Sequence, residues 1–130
     1  NSILSNNGEL KFLDFEYFGR DDPVKLMADF IWHPGMKLND SQKIHWLEEA
    51  FNIFDSDPEI KTRFNAAWPL YGLRWSLIVL NEYLKDGWQK RLYANKNLKH
   101  HYEQTLVSQI NKAESICIKI QSENIKCPYV

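Results

Sequence analysis

The side chains of this 130-residue chain that could do chemistry are an N-terminal amide, a run of carboxylates and a set of aromatic rings. Asn1 and Asp14 stand at the two ends of a short first segment, and Glu16, Asp21 and Asp22 follow closely. Further on come Trp32, Trp68, Tyr71 and Trp75, in a chain with five tryptophans. A tryptophan face holds a quaternary ammonium by cation–π attraction, so these rings could form a cage for a cationic ligand. Trp68, Tyr71 and Trp75 also repeat at helical spacing, and rings so placed pack as core in a bundle. Both readings of the aromatic set stand. Other groups offer less: His45, His100 and His101 are scattered without an H-x-x-x-H pair, and Cys117 and Cys127 make neither a disulfide framework nor a zinc site.

The elements that must position these groups follow from period and punctuation. Ile3-Leu4, then Asn6-Asn7-Gly8, then Leu10 to Phe15 reads as strand, turn, strand, because Asn-Gly supplies the positive φ angles of a tight turn. Beyond the hairpin the apolar period is helical. Asp22-Pro23 starts a helix whose inner stripe is Val24, Met27, Ala28 and Ile31, and His33-Pro34-Gly35 ends it. A second helix begins near Asn39-Asp40-Ser41, with Ile44, Leu47, Phe51 and Phe54 on one face. A third segment runs to about Leu84. Pro69 is expected to break or kink it, and its second half, apolar nearly all round, reads as a central helix surrounded by others and ended by Asp86-Gly87. The stretch from Lys85 to Lys99 reads as a solvated basic loop, and a last helix spans about Leu98 to Ser122.

The opening residues resemble the metal-site hairpin of the aminoglycoside phosphotransferase and choline kinase superfamily. In that family a loop of the form H-x-D-x-x-x-x-N runs into one strand, and a second strand ends in Asp. Asn1 falls at the loop Asn, Asp14 at the metal-binding Asp, and Asp14-Phe15-Glu16-Tyr17 matches a form similar to that of choline-kinase-like members. Asp21-Asp22-Pro23 and the helix carrying Asp29 continue the likeness over some thirty residues. The resemblance implies that Asn1 and Asp14 hold Mg2+, a hard ion suited to carboxylate and amide oxygens, and that ATP is the phosphate donor. It implies an acceptor side near Glu16, Asp21, Asp22, Trp32, Trp68, Tyr71 and Trp75. The Asp that orients the acceptor hydroxyl is expected five residues before Asn1, and the N-terminal nucleotide-binding lobe upstream of that, so the isolated chain is expected to be inactive. Glu16 stands where protein kinases carry glycine, which favours a small-molecule kinase.

The expected fold is therefore α+β and predominantly α-helical: one domain over residues 1–130, a kinase-like C-terminal lobe with an N-terminal β-hairpin followed by about five helices. The expected activity is transfer of the ATP γ-phosphate to a hydroxyl of a small cationic molecule, an aminoglycoside-, choline- or amino-sugar-like acceptor. The alternative is a non-catalytic helical interaction domain. Sixteen basic against seventeen acidic residues give no field for nucleic acid, and no apolar run approaches a bilayer span. With two unclustered cysteines and no signal-peptide pattern, a cytoplasmic setting is expected.

Overall fold

The computed structural model describes residues 2–13, 19–94, 101–122 and 126–130. Strands β1 (Ser2–Leu4) and β2 (Leu10–Phe12) pair antiparallel, with Ser2 opposite Phe12, Ile3 opposite Lys11 and Leu4 opposite Leu10. Gly8 takes φ +85°, and its amide donates to the Ser5 carbonyl at 2.9 Å, closing the turn that Asn-Gly predicts. The register leaves Phe12 two positions short of Asp14, which with Asn1 and Glu16 lies outside the described residues.

Helix α1 (Pro23–Trp32) begins where the sequence says it must. Asp22 is its cap, accepting from the Val24 amide at 2.9 Å, and Pro23 occupies the first turn, where no intrahelical donor is needed. Its buried residues are Val24, Met27, Ala28, Ile31 and Trp32. Helix α2 (Asp40–Ile53) starts on a capping box in which Asn39 and Gln42 bond each other's backbone amides at 2.9 Å. It buries Leu47, Ala50 and Phe51, while Ile44, expected on that face, is exposed.

Helix α3 (Ile60–Val79) differs from expectation in two ways. It runs unbroken through Pro69, because the missing amide costs one bond in a helix whose Ile60, Phe64, Trp68, Gly72, Ser76 and Val79 face is fixed by burial. Nor is its second half surrounded: α5 (Tyr102–Ser122) and α1 cover one side, while Leu70, Leu73 and Leu77 remain 65%, 46% and 68% exposed on the other. After a 3₁₀ turn (Leu80–Tyr83) the chain enters α4 (Lys85–Ala94), so Asp86-Gly87 opens a helix instead of ending one, and most of the expected basic loop is helical. An ion pair between Arg91 and Glu82 and the tilted contact of the Trp88 and Tyr102 rings, 4.6 Å between centroids, hold this turn against its neighbours.

The α1, α2, α3 and α5 residues share one core, in which Trp68, Phe64, Met27 and Leu47 are fully enclosed. At Gly72 α3 lies close against its neighbours: a Cβ there would lie 2.7 Å from Ile120 Cδ1 and 2.9 Å from Trp32 Cζ2. The C-terminal residues return to this core, with Cys127 buried and Tyr129 packed edge-on to Trp68. The fold is α+β and mostly helical, and among the described residues no helix is long and apolar enough to cross a membrane.

Candidate functional site

The acidic residues that the sequence singles out gather at the start and along one face of α1. Asp21 accepts from the Asp22 amide at 2.8 Å and pairs with Lys25 at 2.7 Å. The Lys25 hydrogen bond, then the backbone bond, hold its carboxyl below the usual carboxylate range. Asp22 spends one oxygen on its helix cap and the other on Arg63, whose guanidinium forks onto Asp57 as well. Two turns further along, Asp29 accepts from Trp75 Nε1 at 2.9 Å and from Arg74 at 2.5 Å, with Lys25 3.9 Å from its second oxygen.

These carboxylates border a cleft of about 420 Å³ lined by Gly19, Asp21, Asp22, Pro23, Lys25, Leu26, Asp29 and Phe54. Tyr71, half-buried on α3, senses the same charges. Burial first, then Asp29, Asp22 and Asp21, push its phenol above the ordinary value, with Lys25 opposing. A phenol shifted in this direction remains a hydroxyl donor at neutral pH.

The four aromatic candidates separate by depth. Trp68 and Trp32 are interior, at 0% and 4% exposure, and the Trp32 indole donates to the Trp68 carbonyl at 3.1 Å with the rings 4.5 Å apart. Expected on the acceptor side, they are core: Trp68 shares the buried face of α3 with Phe64 and Gly72, one turn to either side, and Trp32 ends the buried stripe of α1. Tyr71 and Trp75 stay on the acidic side, Trp75 held by Asp29 and by the edge of His33 at 4.7 Å. Asn1, Asp14 and Glu16 lie outside the described residues, five positions or fewer upstream of Gly19 in the case of Asp14 and Glu16.

The sequence reading assigned no role in a site to Lys25, Arg63 or Arg74. The i, i+4 spacing of Asp21, Lys25 and Asp29 carries a signal for the first, since such residues are neighbours on a helix surface. Nothing local marks Arg63 and Arg74, which reach carboxylates 41 and 45 residues away. Among the described residues no group of three or more His, Cys, Asp or Glu side chains is placed to hold a metal ion. No family model, curated protein or solved structure matches the chain.

Proposed function

We propose that this chain is the helical, kinase-like lobe of an ATP-dependent phosphotransferase that acts on a hydroxyl of a small cationic acceptor. The observation that carries the reading is the acidic cleft of Asp21, Asp22 and Asp29, flanked by Tyr71 and Trp75 and following Asp14-Phe15-Glu16-Tyr17 directly in the chain. In this reading Asn1 and Asp14 provide the amide and carboxylate oxygens that suit Mg2+, which when bound would neutralise charge on the β- and γ-phosphates of ATP. The chain's own residues do the rest. Glu16 and the Asp21–Asp29 face draw the cation, while the Tyr71 hydroxyl and the Trp75 ring border its path.

Thermal melting with Mg2+ and ATP tests the reading, since a ligand bound only by the folded state raises its stability. At ten times the dissociation constant the gain is about 1.4 kcal/mol, a rise of roughly 5 °C for a chain of this size. Asp14→Asn removes the shift. An unchanged melting curve in saturating magnesium refutes a metal-holding role for Asp14.

A non-catalytic helical interaction domain is the second reading. The exposed Leu70, Leu73 and Leu77 on one face of α3 favour it. Sedimentation over a range of concentrations distinguishes the two, because the second reading requires association and no nucleotide effect.

A further inference from the structure

The exposed side of α3 carries a pattern of its own. Ala66, Leu70, Leu73, Leu77, Leu80 and Leu84 follow one another at steps of four, three, four, three and four residues, and all are apolar. This is the alternation of the a and d positions of a heptad, which lines up one seam where a helix meets another helix. The first four lie in α3, and Leu80 and Leu84 carry the spacing through the 3₁₀ turn to its cap. Leu80 is half-buried and the other five are exposed. The core uses a different face of α3, the one that meets α1 and α5, so the seam is surplus to the fold. Arg74 is the single charged residue from Ala66 to Leu80, and Asp29 neutralises it.

Two properties of the seam select its occupant. Its side chains alternate at the spacing of the holes in an identical helix, so a second seam of the same kind interdigitates with it. It also brings no unpaired charge to a twofold axis, where a surface meets its own copy and like charges would repel. We propose that a second copy of the chain covers this face, α3 against α3 about a twofold axis, with Leu70, Leu73 and Leu77 interdigitated at the centre. The seam is shorter than an isolated coiled coil needs, but α3 is already held as a helix by the core on its other side, so pairing has no helix nucleation to overcome. A standard interface uses roughly 20–30 residues a side, and this one is smaller, so the dimer is expected to be weak, with a dissociation constant on the order of 10–100 μM. The pairing rests on the interaction-domain reading and supplies its partner.

Sedimentation velocity of the full chain from low micromolar to millimolar concentration tests the pairing. One variant carries Leu73→Lys with Leu77→Lys, and a second carries Leu73→Glu with Leu77→Glu; both positions are exposed, so each variant keeps the circular dichroism of the wild type. The wild type is expected to pass from monomer to dimer and to stop there, because a twofold contact closes on itself. Each variant alone stays monomeric. Their equimolar mixture forms the dimer again, at least tenfold tighter than either variant by itself, since opposite charges then meet across the seam whichever way the two helices run. Growth beyond the dimer, or a mixture that fails to pair, overturns the proposal. Association that survives in both variants overturns it too, while leaving the interaction-domain reading to another surface; a wild type that stays monomeric at millimolar concentration removes both.

Discussion

Replacing Gly72 by alanine sets two effects of known size against each other. Alanine in a helix interior is favoured over glycine by about 1 kcal/mol, since it loses less backbone freedom on folding. The added methyl, however, would sit 2.7 Å from Ile120 Cδ1, 2.9 Å from Ile120 Cγ1 and 2.9 Å from Trp32 Cζ2. Overpacking of a filled core costs about 1–3 kcal/mol. The upper end applies here, because the Trp32 ring is fixed by its bond to the Trp68 carbonyl and cannot swing away. Gly72→Ala is thus expected to destabilise the fold by about 2 kcal/mol net, a loss of roughly 8 °C in melting temperature. Urea unfolding followed by circular dichroism reads the change as a lower midpoint with unchanged slope. Ile120→Val removes the nearest atom. Alone it costs about 1 kcal/mol, and in the Gly72→Ala background it costs less, giving a coupling of about 1 kcal/mol in the double-mutant cycle. A Gly72→Ala protein as stable as the wild type, or a coupling of zero, refutes the account of how α3 meets α1 and α5.

Other outcomes follow from the same geometry. Asp22→Ala removes the α1 cap and is expected to cost about 1 kcal/mol, while Asp22→Asn, which still caps, costs less; urea midpoints compare them. Hydrogen bonds from Lys25, Lys43 and Arg63 respectively lead in holding the Asp21, Asp40 and Asp57 carboxyls below their ordinary value near 3.8. The unfolded chain therefore takes up protons first, and this stability is complete above that value and lost as pH falls through the folded ones. Acid titration of the unfolding midpoint checks the sign, and Asp57→Asn flattens the curve. Leu70→Lys with Leu77→Lys changes stability by less than about 0.5 kcal/mol, as expected of surface positions, and abolishes any concentration dependence seen in light scattering.

Much of the framework is legible in local chemistry. Asn-Gly at the turn, Asp22-Pro23 at the start of α1 and Asn39 with Gln42 at the start of α2 specify their elements within a few residues. What depends on distant partners is not legible. Trp68 and Trp75 both follow helical periodicity, yet one is buried in the core and the other reaches a carboxylate on α1. Tyr129 illustrates the same limit: a residue after a proline near the chain end has no periodic signal, and its place between Lys43, Lys119 and Trp68 comes entirely from tertiary packing. The exposure of Leu70, Leu73 and Leu77 also escapes a composition-based reading, because an apolar surround looks the same in sequence whether or not neighbours cover it.

The bond from the Trp32 indole to the Trp68 carbonyl bears on how the molecule opens. Pro69 leaves a gap in the hydrogen-bond ladder of α3 at its midpoint, the place where a long helix would most easily come apart in halves. The indole fastens α1 onto the peptide unit beside that gap, so α1 acts as a splint across the weak point. The two helices then form one cooperative unit, whose amides exchange with solvent together and at a common free energy.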